Sequence, residues 1–595
     1  MKYFLTIVCS FLVLCAGASN ISYELSFSEP QAHYADVKVQ IADVKTGELM
    51  VSMPVWAPGS YLVREFSRFV EEVKATDGTN GQALPISKVS KNTWKISMSG
   101  AKSLQLRYRV YAFELSVRTS FIDAEHAYLN GTSIFMQVHG REQDAQEVNI
   151  KPYPAWKTIS VALDPLVSGN PWRVKAGNYD ELVDAPFEIG NHTVFSFMSC
   201  GVPHEVAMFG EGNYDVEKLK ADMTKITAEC MAVFGEHPCK RYVFIIHNLA
   251  SGGGGLEHKN STTLQTNRWG YAAESSYTGF LSLVAHEYFH LWNVKRLRPV
   301  PLGPFNYDEE NYTSLLWIAE GFTAYYDDLI VKRCGFVSES DYLKTLAGNI
   351  SYASNIKGAP FQSLSESSYD AWIKYYRTWE NANNSTVSYY TKGGVMGAML
   401  DLSIRKATGG KASLDDVFRE MYLLYAKKLD RAYTEREFIA MVNKVAGQKM
   451  DSFFSDYING VKMFSFQELL GSVGLSLTDL NGKSVIPYVG ITAGMTSGRL
   501  TVTGVDRGAP AWTEGINVND ELIALDDYRL SDDLSKFLNM KKPGDKIRLT
   551  IARAGYIRTF TLSVQQTPFV KYSLEVNKDS PSSGLLTNWM ISKKN

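Results

Sequence analysis

The stretch Ser282–Pro299, "SLVAHEYFHLWNVKRLRP", places two histidines, His286 and His290, four residues apart. The apolar residues around them have the spacing of a buried helix. Positions i and i+4 lie on the same face of a helix, so both imidazoles would point the same way and lie close enough to bind one ion. The stretch therefore predicts a metal site on a buried helix.

Zinc is the metal that this pattern favours. Imidazole and carboxylate are its usual nitrogen and oxygen ligands, and a catalytic zinc keeps one position open. Glu287 would lie beside that position and can take a proton from an attacking water. Because the 595 residues include only 10 histidines, His-Glu-x-x-His would arise by chance in roughly one such chain per hundred. We expect one zinc ion per chain; two helix histidines without a metal are the alternative.

A second apolar segment, "LLWIAEGFTAYYDDLI", offers a third ligand. Glu320 lies thirty residues after His290, within the pattern Trp-x-x-Glu-Gly-x-Thr. Asp327 is seven residues further on, two turns along the same helix face, and would hold a ligand histidine from behind. A solvated helix acid is an equally good interpretation of Asp327.

The length and composition indicate a folded protein of several domains. At 100–200 residues per domain, 595 residues predict three or four domains. The formal net charge of −2 gives no general attraction to nucleic acid, so we expect no nucleic-acid partner. Cys200, Cys230, Cys239 and Cys334 are either disulfide-bonded or free buried thiols.

Residues 1–18 indicate a secretory signal peptide. Lys2 is followed by the apolar run "YFLTIVCSFLVLC", and Ala16, Gly17 and Ala18 offer a small-residue cleavage site. We expect an exported protein, periplasmic or secreted. Lipid attachment at Cys15 is the weaker alternative, because the bulky Leu14 precedes it. No later stretch reaches eighteen uninterrupted apolar residues, so no membrane span is expected.

The residue patterns predict a multidomain α+β protein. Period-two alternation such as "LQLRYRVYAF" predicts a β-rich N-terminal domain over residues 19–168. Helical spacing predicts a mainly helical domain over residues 169–475, interrupted by the buried strand "RYVFIIHNLA". Short strands between Gly, Pro and Asp turns return at residues 480–570, and residues 571–595 form a C-terminal tail.

The motifs around the zinc helix resemble those of the gluzincin peptidases, and more broadly the aminopeptidase N superfamily. "GGLEH" (Gly254–His258) stands where that superfamily has Gly-x-Met-Glu-Asn, and "YTKGG" (Tyr390–Gly394) matches its Tyr-x-Lys-Gly. The finer resemblance is to the glycyl aminopeptidase family, on "HEYFHLWNVKRLRP", "VWAPGSYLVREFSRF", "YDELVDAPFEIG" and "SYDAWIKYYR". It implies that residues 169–475 form a thermolysin-like catalytic domain.

The resemblance also assigns roles to residues outside the metal site. It implies that Glu257 anchors the substrate's free α-amine and that Gly254 and Gly255 bring the backbone close to the substrate. It further implies that Tyr390 stabilises the tetrahedral intermediate with its hydroxyl. Tyr389, directly before it, is the alternative for that role. His258 replaces the superfamily's Asn, so amine recognition would differ in detail.

Residues from about 485 to 570 resemble a PDZ domain of the exported bacterial kind, on "RGAPAWTEGINVNDELIALDD". "YVGIT" then places Val489, Gly490 and Ile491 in the loop that holds a peptide C-terminus. Tyr488 occupies a usual glycine position. A peptide ligand and a purely structural spacer are therefore both open.

Together these features predict an exported zinc aminopeptidase that removes small N-terminal residues, Gly or Ala, from peptide substrates. The size preference follows only from the family resemblance. A zinc endopeptidase with an open cleft is one alternative, although a buried Glu257 would favour an ammonium over a carbonyl. A peptide-binding quality-control factor that works through its PDZ domain is the other.

Overall fold

The computed structural model describes residues 20–586 and 588–592, so the expected signal peptide lies outside the described residues. The described chain forms two compact units. The first contains residues up to Pro54, Glu65–Leu115 and Thr119–Asn191. The second contains Val55–Arg64, Ser116–Arg118 and the chain from His192 onward.

The first unit is built from three β-sheets. The seven-stranded sheet contains, in spatial order, Asp164–Val167, Asn170–Ala176, Gln146–Lys151, Ile21–Ser26, Tyr34–Ile41, Leu104–Tyr111 and Val70–Asp77. The two four-stranded sheets contain Gln137–Val138, Glu48–Ser52, Thr93–Ser97 and Ile86–Lys88, and Thr158–Val161, Phe187–Gly190, Ala127–Leu129 and Phe121–Ile122. The helical pieces are Pro30–Ala32, Phe66–Phe69, Gly131–Ser133 and Tyr179–Val183.

Alternating burial explains these strands. In Leu104–Tyr111 the residues Leu104, Leu106, Tyr108 and Val110 are buried, while the residues between them are partly or fully exposed. Such period-two alternation places one face of the strand on the core.

The first unit extends beyond the boundary expected at residue 168. Asn170–Ala176 is a strand that pairs with Gln146–Lys151, and Phe187–Gly190 pairs with Ala127–Leu129. After residue 170 the chain forms only the short helix Tyr179–Val183 before the first long helix, Val216–Phe234. The alternation in "NPWRVKA" is too short and polar to stand out in the sequence, and its pairing with a distant strand decides its conformation.

The second unit contains a five-stranded sheet and a set of helices. The strands are, in spatial order, Thr193–Ser199, Val202–Phe209, Tyr242–Leu249, Ser261–Asn267 and Gly254–Glu257. The helices are Val216–Phe234, Glu274–Phe289, Phe322–Arg333, Glu339–Asn355, Leu364–Tyr369, Thr391–Thr408, Leu414–Met421, Glu435–Ala446, Asp451–Tyr457 and Phe466–Ser472. π-Helical turns span Trp317–Gly321 and Tyr422–Lys428, and short 3₁₀ turns span Asp370–Trp372, Ala382–Asn384 and Ser583–Leu586.

Two of these elements, an edge strand and a histidine-bearing helix, position the site. Gly254–Glu257, the edge strand, pairs antiparallel with Ser261–Asn267 and ends the sheet. Glu274–Phe289, the histidine helix, has a buried inner face that includes Phe280, Leu281 and Val284. Because one side of an edge strand has no neighbouring strand, its backbone is available to a ligand.

The last β module has its own core. Its strands are Ile491–Thr496, Arg499–Val505, Glu521–Leu525, Tyr528–Arg529, Lys546–Arg553 and Tyr556–Ser563, with helices Pro510–Glu514 and Ser535–Leu538. Pro487–Tyr488 pairs with Gln565–Gln566. Val502, Leu525 and Leu549 are among the residues of this separate core.

The expected C-terminal tail packs against the helical part of the second unit. Tyr572–Val576 pairs antiparallel with Leu475–Asp479, and Trp589 is fully buried in the main core. The structure thus confirms the multidomain α+β fold. Within the described part of the chain, no helix is long and apolar enough to cross a membrane.

Candidate metal centre and catalytic cleft

The structure brings His286, His290 and Glu320 together. One ligand atom from each lies within 4.8 Å of the others. The Nε2 atom of His290 is 3.2 Å from Glu320 Oε2, and that of His286 is 3.6 Å from the same oxygen. His290 follows directly after the last residue of the histidine helix but keeps helical backbone angles, so the i, i+4 geometry is preserved.

Hydrogen bonds at Nδ1 orient both imidazoles. His286 Nδ1 is 2.8 Å from Asp327 Oδ2, and His290 Nδ1 is 2.7 Å from the backbone carbonyl oxygen of Asn293. A carbonyl or carboxylate only accepts, so Nδ1 carries the proton and the neutral ring keeps its Nε2 lone pair for a metal. Asp327 thus contacts a predicted ligand histidine and is not a solvated helix acid.

The donor set fits zinc. Two imidazole nitrogens and one carboxylate, with room for a fourth ligand, are what a catalytic zinc site takes. Glu257, Glu287 and His290 form a second group of the same tightness, but it offers a single imidazole. The first group suits zinc better because both of its histidines have Nδ1 already engaged. His286, His290 and Glu320 are therefore the residues that would hold the ion.

Glu287 is held beside this group without a fixed partner. It is buried, and its Oε2 has no hydrogen-bond partner among the described residues. Burial, opposed by the imidazoles of His286 and His290, raises the pKa of Glu287 to about 7. A carboxyl group that exchanges its proton near neutral pH is suited to general acid–base catalysis.

The edge strand lies directly against Glu287. A Cβ placed on Gly255 would come within 2.2 Å of Glu287 Oε1. Two residues later, Glu257 is 4% exposed, and its Oε1 has no hydrogen-bond partner among the described residues. Gly254, Gly255, Glu257 and Glu287 all line one cleft of about 480 Å³ together with the metal-binding residues.

Tyr390, and not Tyr389, lines this cleft. The Tyr390 ring lies 6.4 Å from that of His286, and its hydroxyl is 3.3 Å from the hydroxyl of Tyr376. Tyr389 is fully buried, and its hydroxyl has no hydrogen-bond partner in the described chain. The geometry therefore places Tyr390 where a hydroxyl can reach the cleft.

Several residues of the cleft were not singled out by the sequence. Tyr61 donates to Glu320 Oε1 at 3.5 Å, and a Cβ on Gly59 would come within 2.5 Å of Glu257 Oε2. Tyr375, Tyr376 and Arg118 line the cleft itself, together with Gly279, Ser282 and Leu283. Gly59 and Tyr61 fall in "VWAPGSYLVREFSRF", and Tyr375 and Tyr376 in "SYDAWIKYYR", two of the stretches that carry the family resemblance. Arg118 lies in no recognisable motif.

The predicted PDZ loop is held by hydrogen bonds to Asp506 of the same module. Gly490 has a φ of 77°, and its carbonyl oxygen accepts the Asp506 N–H. Val489 is buried, while Ile491 begins the strand at the edge of the module's sheet. Tyr488, in the usual glycine position, donates to Asp506 Oδ2 at 2.6 Å. The loop has the strand edge that a peptide would need.

The four cysteines in the described residues, Cys200, Cys230, Cys239 and Cys334, are free thiols. The thiols are therefore free, as in the second alternative, but the expectation that they are buried holds only for Cys230, since Cys200 is exposed and Cys239 and Cys334 are partly exposed. Cys230 is buried in the main core, and burial raises the pKa of its thiol well above the usual value.

These features define a zinc metallopeptidase of the aminopeptidase type, and comparisons with known proteins agree. Residues 22–191 match the Peptidase M61 N-terminal domain, residues 279–396 the M61 glycyl aminopeptidase domain, and residues 487–564 a PDZ domain. The crystal structure of an aminopeptidase N family protein from Idiomarina loihiensis is 30% identical, with a TM-score of 0.88, over 96% of this chain and 100% of that chain. The chain belongs to the M61 glycyl aminopeptidase family.

More distant structures are similar over part of the chain. The M1 zinc metallopeptidase from Deinococcus radiodurans is 12% identical over 75% of this chain and 94% of that one, with a TM-score of 0.49. Curated proteins give no significant match.

Proposed function

We propose that this zinc aminopeptidase removes small N-terminal residues, Gly or Ala, from peptides, and that it does so outside the cytoplasm. The observation that carries the aminopeptidase assignment is the buried Glu257 carboxylate, which faces the cleft with one oxygen free of any hydrogen bond. An ammonium group would supply the compensating positive charge and the hydrogen-bond donors that this oxygen lacks.

Glu257 would fix the register of the substrate. With the α-amine held there, the backbone of the first residue follows the edge strand toward Gly255. The first peptide carbonyl then lies next to His286, His290 and Glu320, and only that bond is presented for attack. Zinc, when bound by these three residues, supplies Lewis acidity for the carbonyl oxygen and for water.

Glu287 and Tyr390 would perform the proton transfer and the charge stabilisation. The free Oε2 of Glu287 is available to take a proton from water and to return it to the leaving amine. The Tyr390 hydroxyl, held 3.3 Å from that of Tyr376, can donate to the oxyanion as it forms. Asp327 keeps the His286 ring in the orientation that leaves Nε2 free.

The preference for a small first residue rests on the family's description as glycyl aminopeptidases and on the aromatic side chains around the amine site. Tyr375, Tyr376 and Tyr390 line the cleft, and Tyr61, which contacts Glu320, has its ring centroid 6.1 Å from that of Tyr376. Gly59 contacts the Glu257 carboxylate directly. Aromatic walls this close limit the volume left for a side chain.

The experiment is a panel of dipeptides Xaa-Ala with Gly, Ala, Leu or Phe as the first residue. The Gly and Ala substrates should be cleaved with the highest kcat/KM, and activity should disappear with a chelator and return with zinc. Equal or faster cleavage of the Leu and Phe substrates would contradict the size preference.

Export is tested separately. Expression of the full chain followed by N-terminal sequencing should find Ser19 as the first residue of the mature protein, in the exported fraction. A retained Met1, or a lipid on Cys15, would contradict it.

A further inference from the structure

A cation in the catalytic cleft has no role in the chemistry proposed above. Arg118 lines the cleft beside the edge strand. Its Nη2 donates to the Gly255 carbonyl oxygen at 3.5 Å, and its Nη1 lies 3.9 Å from the position of a Cβ on Gly254. The same cleft is also lined by the carboxylates of Glu257, Glu287 and Glu320.

The guanidinium of Arg118 makes few hydrogen bonds with the described residues. It is half-buried and forms no ion pair with any residue that the structure describes. Its Nε is buried and has no hydrogen-bond partner within the same residues. A guanidinium stays charged at all accessible pH values and offers paired donors that match a carboxylate. A half-buried guanidinium with free donors is therefore a binding site for an anionic group.

The position of Arg118 along the edge strand sets the distance to that group. Arg118 contacts Gly255, and Glu257 follows two residues later on the same strand. Two residues of a strand advance about 7 Å. An extended dipeptide spans about 7 Å from its amine to its carboxylate. A dipeptide that is held at Glu257 by its amine would thus bring its carboxylate to Arg118.

We propose that Arg118 binds the C-terminal carboxylate of the substrate and that dipeptides are the substrates this cleft favours. The inference rests on the proposed function, because Glu257 must hold the amine for the spacing to apply. In a longer peptide a neutral carbonyl would stand beside Arg118, and the negative charge would lie beyond it. The cleft therefore selects its substrate at both ends, the amine at Glu257 and the carboxylate at Arg118.

The test compares Ala-Ala with Ala-Ala-NH₂, which share the amine and the scissile bond and differ in the negative charge. The quantity measured is the ratio of kcat/KM for the acid over that for the amide. We expect a ratio of about ten or more for the wild type, the effect of one charge-assisted pair, and a ratio near one for Arg118→Gln. Arg118→Lys, which keeps the charge but loses the planar fork, should give a ratio between the two. Because both substrates meet the same protein, a folding defect cancels from the ratio.

A binding measurement separates this inference from the proposed function. Calorimetric titration of the zinc-loaded Glu287→Gln protein measures the Kd of both peptides without turnover. The ratio of the Kd for the amide to the Kd for the acid is then the binding counterpart of the kcat/KM ratio. A wild-type enzyme that cleaves neither peptide would refute the proposed function, while the Kd ratio would still report on Arg118. A ratio that is near one in the wild type, or that Arg118→Gln leaves unchanged, would overturn the carboxylate site.

Discussion

At the scale of single residues, the proposed general base Glu287 differs from the predicted metal ligands in its contacts. The three predicted ligands contact one another, whereas Glu287 keeps one carboxylate oxygen without a partner in the described chain. Substitution at Glu287 should therefore affect chemistry and leave metal binding in place.

Glu287→Gln should retain zinc while kcat falls by about a hundredfold or more, as for the loss of a general base. His286→Ala and Glu320→Ala serve as the comparison and should lose the metal. Elemental analysis and steady-state kinetics on the three purified variants make the distinction. Normal zinc in both comparison variants would show that the ion is bound elsewhere.

The two adjacent tyrosines differ in their access to the cleft, and this difference gives a matched pair. Tyr390→Phe should lower kcat roughly a hundredfold with KM little changed, because an oxyanion donor acts mainly in the transition state. Tyr389→Phe removes a buried hydroxyl that does not reach the cleft and should change kcat much less. The reverse order would reassign the role to Tyr389.

At the scale of elements, the edge strand can lie against Glu287 because Gly255 has no side chain. Gly255 lets the backbone approach Glu287 so closely that a Cβ there would lie 2.2 Å from Oε1. A Cβ placed on Gly253, two residues earlier, would have the Gln265 carbonyl oxygen as its nearest neighbour, at 3.8 Å. Gly253 directly precedes the edge strand. The same substitution at the two positions therefore distinguishes crowding of Glu287 from a general effect of adding a side chain to this segment.

Gly255→Ala should displace the Glu287 carboxylate and lower kcat/KM by about tenfold to a hundredfold, since a misplacement of about 1 Å is enough for such losses. Gly253→Ala should leave kcat/KM within about twofold, because its Cβ would make only an ordinary van der Waals contact, 3.8 Å from the Gln265 carbonyl oxygen. Kinetics with zinc content measured in parallel checks both. Equal losses in the two variants would indicate that this glycine-rich segment tolerates no side chain at either position, and that crowding of Glu287 is not the cause.

The elements that could be predicted from sequence are those whose geometry is local. His286 and His290 share a helix face by spacing alone, and Glu320 follows within a second apolar segment. Arg118, which lines the cleft, and Tyr61, which contacts Glu320, could not be found this way, because they come from chain segments more than a hundred residues earlier. The strand Asn170–Ala176 was missed for a related reason, since its pairing partner and not its own sequence makes it a strand.

At the scale of the whole molecule, the chain returns to the catalytic part after the PDZ domain. Asn355 bonds the backbone of Val570 in both directions, at 2.8 and 2.9 Å. Further on, Trp589 donates its Nε1–H to the Tyr325 hydroxyl at 2.8 Å and packs edge-on against Tyr342. The described segment that ends near Trp589 therefore belongs to the same core as the helices that carry the predicted zinc ligands.

Trp589→Ala should destabilise the second unit by about 3–5 kcal/mol, the usual cost of deleting a buried tryptophan side chain. Ile591→Ala, at a residue that is 56% exposed, should change stability by about 0.5 kcal/mol or less. Urea unfolding followed by fluorescence and by loss of activity measures both. A small effect at Trp589 would mean that the C-terminal segment contributes little to the catalytic core.

The central claim is that Glu257 recognises the free amine, and one comparison tests it most directly. The kcat/KM values of wild type and Glu257→Gln are measured on Ala-Ala and on N-acetyl-Ala-Ala, which share the scissile bond and the carboxylate and differ in the amine charge. We predict that Glu257→Gln loses about 2–4 kcal/mol of transition-state stabilisation on the free dipeptide, the size of a partly shielded charge-assisted pair, and almost none on the acetylated one. Equal losses on the two substrates would contradict amine recognition and would leave Glu257 a role in shaping the cleft.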